Sequence, residues 1–182
     1  MLKRACIIIA SFLAFACSSQ RVVDLDRSGH YPGRTTATVV SSKPFDLDSR
    51  RDLILVPSND FLKGQIANIH YFGEVITSED LQKAIVQGGL SDKVPAIGDL
   101  IGLSNAAKYY KPFLWFHTKS HGAGTDRYSQ FILTDPITLD DLLVVETHLD
   151  FIWTGVNDQN NWYPMFNALI DYIKQNSHGY GK

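Results

Sequence analysis

An apolar run near the end of the first third of the chain sets the strongest constraint on its fold. Leu53, Ile54, Leu55 and Val56 follow one another without a polar residue, and Pro57 ends the run. A strand with one face in water alternates apolar and polar residues, whereas a strand buried on both faces does not. The run therefore predicts a central strand that is covered by packing layers on both sides.

Shorter patterns predict the remaining secondary structure. Ser78 precedes Glu79 and Asp80, which is typical of a helix N-terminus, and a Gly88-Gly89 pair ends that helix. Bulky and alternating segments predict strands at 36–40, 68–76, 113–118, 128–134 and 142–153. Helical spacing of apolar residues predicts helices at 78–88, 96–110 and 161–176. Interspersed strands and helices predict an α/β or α+β sandwich with a mixed sheet, in two or three layers.

The composition predicts three parts in a chain of this length. Residues 51–178 carry the apolar patterns and are predicted to form a single globular α/β domain, since 182 residues suit one domain. Residues 17–50 are polar and contain few large apolar side chains, so they are predicted to be a flexible tether. Residues 1–16 are predicted to be a signal peptide.

The N-terminal signal ends in a cysteine. Lys3 and Arg4 precede an apolar run at 5–16 that is shorter than the ~20 residues needed to cross a bilayer. Small residues in front of Cys17 make this end resemble the lipobox of bacterial lipoproteins, a resemblance that covers residues 1–20 only. It implies that Cys17 is acylated, becomes the first mature residue and anchors the protein in the membrane. Ser18 after the cysteine implies the outer membrane, facing the periplasm. Cleavage after Ala16 without acylation, as in ordinary secretion, is the alternative.

Cysteine use and charge exclude several classes of function. Cys6 lies in the signal and Cys17 is the lipidation candidate, so no cysteine remains for a thiol nucleophile, a disulfide or a thiolate metal site. Loss of Lys3 and Arg4 with the signal lowers the net charge from −2 to −4. This balance argues against a nucleic-acid partner, which requires a clustered basic surface.

Two groups of residues are candidates for catalysis or metal binding. Glu146, His148 and Asp150 alternate with apolar residues in a predicted strand, so they are expected on one face. Such a row can hold a divalent metal or orient His148 as a base, or it can simply be the solvated face of the strand. His117 and His121 have a spacing used by zinc sites on helices, although this segment is predicted to leave a strand and enter a glycine loop.

An amide-rich loop is the candidate for ligand binding. Asn157, Asp158, Asn160 and Trp162 combine hydrogen-bonding side chains with a stacking ring, which suits contact with a carbohydrate. The alternative is that the amides build a turn and cap the last helix while Trp162 packs beneath them.

The sequence thus predicts a membrane-anchored envelope lipoprotein that acts as a binding or assembly module for a periplasmic protein or glycan. No catalytic motif and no cofactor-binding motif is present, so a non-enzymatic role is favoured. A periplasmic metal-assisted hydrolase and an immunity-type protective lipoprotein are the alternatives.

Overall fold

The structure, a computed structural model, describes residues 21–151 and 155–180. Its six strands are β1 (Thr38–Ser42), β2 (Leu53–Leu55), β3 (Glu74–Ile76), β4 (Leu114–Ala123), β5 (Asp126–Asp135) and β6 (Asp140–His148). Its α-helices are α1 (Asp60–Asn68), α2 (Ser78–Gln87), α3 (Leu100–Tyr109) and α4 (Tyr163–Asn176). A 3-10 turn at Leu47–Arg50 and a π-helical turn at Asp158–Trp162 complete the described elements. None of the helices in these ranges combines the length and apolarity that a membrane crossing needs.

The strands form one mixed sheet in the order β1-β6-β5-β4-β2-β3. Strand β2 runs parallel to both of its neighbours, β3 and β4, and the pairs from β4 to β1 are antiparallel. The three residues of β2 are buried, as the uninterrupted apolar run predicts. The predicted mixed sheet and sandwich fold are therefore confirmed.

Two hydrophobic cores lie on opposite faces of the sheet. Helices α1 and α4 cover one face, where Phe166 meets Phe116 and Phe131 from the sheet. Helices α2 and α3 cover the other face, where Leu81 and Leu103 pack with Leu53 and Leu55 of β2. Over β2 the fold thus has three layers. The second core includes Phe113 and Trp115 near the start of β4 but no residue of β5 or β6.

The predicted strand at 68–76 is wrong over most of its length. Helix α1 ends at Asn68, His70 follows in the left-handed region with φ 56, and only Glu74–Ile76 is extended. At the N-terminus of the helix, the Asn59 side chain accepts a hydrogen bond from the Leu62 amide, which stabilises its first turn. The helix also buries one face, whose residues are Phe61, Leu62, Gln65 and Ile66. Gly64 and the shortness of the segment hide that spacing in the sequence.

The predicted loop at 119–127 is also wrong. Strands β4 and β5 continue through it as a ladder that ends at the pair Ala123 and Asp126. Gly124 takes the first position of the two-residue turn with φ 58, a value that glycine adopts without strain. The hairpin is therefore longer than predicted, and its side chains alternate between the two faces as far as the turn.

The described part of the predicted tether, residues 21–50, packs on the domain. Tyr31 and Leu47 are buried in the core beside α4. The Gln65 amide donates to the Arg21 carbonyl at 3.2 Å and the Asn68 amide donates to the Val23 carbonyl at 3.2 Å, which holds this segment against α1. Strand β1 pairs with β6 at the edge of the sheet.

Candidate functional site

Helices leave one region of the sheet open. The second core ends near the start of β4, so the outer parts of β4, β5 and β6 are not covered by α2 or α3. We call this region the open face. Directly paired residues on neighbouring strands point to the same side of a sheet, and the pairing places six polar or aromatic side chains here: Lys119, His121, Tyr128, Gln130, Glu146 and His148. All six are exposed or half-buried.

Three rings form a row across the strands. His121 pairs with Tyr128, and their rings are stacked with centroids 5.1 Å apart and an interplanar angle of 7°. His148 lies on the other side of Tyr128 at 5.1 Å and 60°. The row therefore brings two imidazole rings and a phenol ring together on exposed or half-buried positions of three strands.

Glu146 is tied to two neighbours on the open face. Its Oε2 atom accepts a hydrogen bond from Gln130 Nε2 at 2.8 Å and lies 3.0 Å from His121 Nε2. The hydrogen bonds from His121 and Gln130 lower the pKa of the Glu146 carboxyl. The side chain is therefore a fixed carboxylate at neutral pH.

The turn of the hairpin holds the other end of the row. His148 Nε2 lies 3.1 Å from the carbonyl of Thr125 and 3.7 Å from Asp126 Oδ1. A hydrogen bond from the Tyr128 hydroxyl to Asp126 raises the pKa of that tyrosine. The rings are thus positioned by the turn as well as by their strands.

The predicted row of Glu146, His148 and Asp150 is only partly assembled. Glu146 and His148 share the open face, but β6 ends at His148 and Asp150 lies beyond it. Asp150 lines a small cavity of about 240 Å³ together with His148, Thr147 and Asn160. Among the described residues, these three do not bring ligand atoms close enough to form a metal-binding group. Their catalytic role stays a prediction.

His117 and His121 lie on the same side of β4 but have separate partners. The His117 ring stacks on Trp115 with centroids 3.8 Å apart, and its Nε2 lies 3.1 Å from Thr134 Oγ1. Burial lowers the pKa of His117. His121 is bound to Glu146 instead, and within the described ranges the two rings belong to no common metal-binding group.

The amide-rich loop makes hydrogen bonds within itself. Asn157 Oδ1 accepts from the Asn160 amide at 3.0 Å and begins the π-helical turn, as the turn-building alternative predicts. Burial raises the pKa of Asp158 in this turn. The Trp162 ring packs on Phe61 and Phe131 at centroid distances of 6.3 and 5.6 Å. Ligand binding by this loop stays a prediction.

Asn161 is a structural residue that the sequence reasoning missed. It is 2 % exposed. Its amide donates to the His148 carbonyl at 3.0 Å, and its Oδ1 accepts from the Asn157 backbone amide at 3.0 Å. Through these bonds Asn161 fixes the end of β6 below the row of rings.

Tyr128, Gln130 and Lys119 were also missed as site residues. A signal for them exists, because Lys119 and His121 are separated by Ser120, and Tyr128 and Gln130 are separated by Ser129, so small and large polar side chains alternate in both segments. The pairing of Lys119 with Gln130 and of His121 with Tyr128 follows once that two-residue turn is recognised. The lipidation candidate Cys17, the predicted signal peptide and residues 152–154 lie outside the described residues.

Comparison with known proteins gives a weak likeness. No protein-family model and no curated protein matches the chain. A solved structure of the LpoB C-terminal domain from Salmonella enterica is 13% identical, covers 56% of this chain and 84% of that one, and gives a TM-score of 0.38. The LpoB C-terminal domain from Escherichia coli is 17% identical, covers 54% of this chain and 82% of that one, and gives a TM-score of 0.37. These values are too low to support an inference about function.

Proposed function

We propose that this protein is a lipid-anchored module of the bacterial cell envelope that binds a periplasmic protein through its open face. The observation that supports this most strongly is the row of His121, Tyr128 and His148 on the part of the sheet that α2 and α3 leave uncovered. A rigid sheet that displays ordered rings offers a surface that loses little conformational entropy on binding.

The charges of this region suit a protein partner. Glu146 is a carboxylate held by two neighbours, while Lys119 is exposed near it on the same face of the hairpin. Both signs of charge around aromatic side chains are typical of the rim and centre of protein interfaces. Such a surface also discriminates between partners, because a misplaced like charge is costly.

The ring geometry favours a protein over a glycan. Carbohydrate binding by stacking requires an exposed ring face. Trp162, the ring predicted to stack on a sugar, is packed against Phe61 and Phe131 instead. The imidazole and phenol groups of the open face suit hydrogen bonds to a polar protein surface.

The anchor is the second part of the proposal. Acylation of Cys17 would hold the domain at the membrane through its lipid chains, and Ser18 favours the outer membrane. The anchor is tested by the intact mass of the protein extracted from membranes. A mass equal to that of residues 17–182 plus the attached lipid supports the anchor, and the mass of the polypeptide alone contradicts it.

The binding role is tested by partner capture with matched tyrosine variants. The full chain, Tyr128→Ala and Tyr109→Ala are each crosslinked in the envelope, solubilised and purified. Tyr109 is 51 % exposed and lies on α3, outside the open face. We expect a specific protein to copurify with the wild type and Tyr109→Ala and to be depleted from Tyr128→Ala. Equal capture by both variants would contradict the proposed surface.

A further inference from the structure

A second cluster of ionisable side chains lies away from the open face. Asp46 and Asp48 flank Leu47 at the 3-10 turn, and His178 follows the last helix near the C-terminal end of the chain. Each offers one ligand atom, and the three atoms lie within 4.8 Å of one another. Within residues 21–151 and 155–180, no other set of His, Cys, Asp or Glu meets this condition.

Hydrogen bonds hold two of the three side chains in place. Asp48 Oδ1 accepts from the Tyr71 hydroxyl at 2.9 Å, and its Oδ2 accepts from the His178 backbone amide at 2.6 Å. The His178 ring reaches the same carboxylate, with Nδ1 at 3.1 Å from Oδ2. The carboxylate that bridges the two chain segments is therefore fixed before any ligand arrives.

Asp46 supplies the third group. Its side chain makes no capping hydrogen bond to the turn that it precedes. Asp46 and His178 both line an open cavity of about 420 Å³ between the turn and the end of α4. There is thus space for an ion with bound waters beside two carboxylates and an imidazole.

We propose that Asp46, Asp48 and His178 form a binding site for a divalent cation of the zinc type. One imidazole and two carboxylates are a donor set that zinc accepts at about 2.0–2.2 Å, with water in the remaining position. Ligands around such an ion lie about 3.4 Å apart, so the donors need to close in from their present spacing. His178 can make this movement because its side chain is 89% exposed.

A bound cation would join the C-terminal end of the domain to its N-terminal part. Residues 46–48 lie before β2 and residue 178 lies after α4, so the link closes nearly the whole folded chain. Binding to the native state alone raises the apparent stability with ligand concentration. The site is separate from the open face and does not depend on the proposed partner binding.

The test is zinc titration of the untagged full chain by calorimetry after treatment with a chelator. Wild type is compared with His178→Ala, Asp46→Asn and the control His30→Ala. His30 lies 2.8 Å from Asp171 but, unlike His178, belongs to no set of three ligand atoms within 4.8 Å of one another among the described residues. We expect one zinc ion per chain in wild type and His30→Ala, at least tenfold weaker binding in the two site variants, and a zinc-dependent rise in melting temperature only where binding is retained.

The comparison also separates other sources of zinc binding. Cys6 and Cys17 offer thiolates in a chain that keeps its signal and is not acylated, and their contribution would survive in His178→Ala. Undiminished zinc binding in His178→Ala and Asp46→Asn would overturn the proposal, as would the lack of any saturable binding. A calcium titration distinguishes the proposed site from one formed by the two carboxylates alone. Calcium binding that is as tight as zinc binding and unchanged in His178→Ala would overturn the assignment of a zinc-type site.

Discussion

Tyr31 gives the sharpest test of how far the folded domain extends toward the N-terminus. Its side chain is 2 % exposed, and its ring packs on Tyr163 at 5.6 Å and on Phe166 at 5.5 Å. Its hydroxyl donates to the carbonyl of Gln65 in the last turn of α1, where a carbonyl has no partner within the helix. Tyr31→Ala removes all of these contacts.

The magnitude follows from the burial. Replacing a buried aromatic side chain by alanine costs about 3–5 kcal/mol, which is a large share of the ~5–15 kcal/mol that stabilises a typical domain. For a chain of this size, about 4 kcal/mol corresponds to a fall in melting temperature of about 8–16 °C. Tyr31→Phe keeps the ring and leaves only the Gln65 carbonyl unsatisfied, so it should cost about 1–2 kcal/mol.

Urea unfolding followed by tryptophan fluorescence measures these differences. Trp162 packs on Phe61 and Phe131 in the same core, so its emission reports loss of this packing. Tyr109→Ala is the control, because its side chain is 51 % exposed and surface substitutions change stability by about 0.5 kcal/mol or less. If Tyr31→Ala is as stable as Tyr109→Ala, residues 21–36 are not part of the folded domain and the reasoning is refuted.

Three further predictions concern single interactions. Burial lowers the pKa of His117 below 6.5, because the buried ring favours its neutral form. The stability that the neutral ring contributes is present above pH 6.5 and is lost as the pH falls through the pKa of His117 in the folded protein. An NMR titration of His117 with a midpoint at or above pH 6.5 would contradict this. Thr77→Ala removes the capping box with Asp80 at the start of α2 and should cost about 1 kcal/mol by urea unfolding, whereas Thr77→Ser should cost little. Asp135→Ala leaves Arg50, 3.8 Å away and 20% exposed, without its buried partner, and should cost about 3 kcal/mol by the same assay; an unchanged unfolding midpoint would show that the pair does not contribute.

The fold was predictable where local chemistry agrees with the tertiary structure. The run from Leu53 to Val56 identifies the central strand, and the acidic residues after Ser78 identify α2, because each signal depends on neighbouring residues. The N-cap of α2 is Thr77, however, and not Ser78 as the sequence predicts. Helix α1 was missed because its burial pattern is short and contains Gly64, while Ile69 to Ile76 has the bulky content of a strand. The packing of Tyr31 was hidden as well, since one aromatic residue in a polar segment carries no periodic signal.

The candidate site was predictable only in part, since it depends on strand pairing. Glu146 and His148 were found because they alternate within one strand. Tyr128 and His121 become neighbours only through the register of the hairpin, which a missed two-residue turn obscures. The cluster of Asp46, Asp48 and His178 joins positions about 130 residues apart, and no local pattern indicates such a contact.

Photo-crosslinking along one strand tests the central claim most directly. Successive positions 118, 119, 120 and 121 on β4 are all exposed, but Lys119 and His121 point to the open face while Thr118 and Ser120 point to the opposite side. A crosslinking amino acid placed at each position of the full chain in cells should give the same protein adduct at 119 and 121 and no such adduct at 118 and 120. Equal adducts at all four positions, or adducts confined to 118 and 120, would contradict a partner bound through the open face.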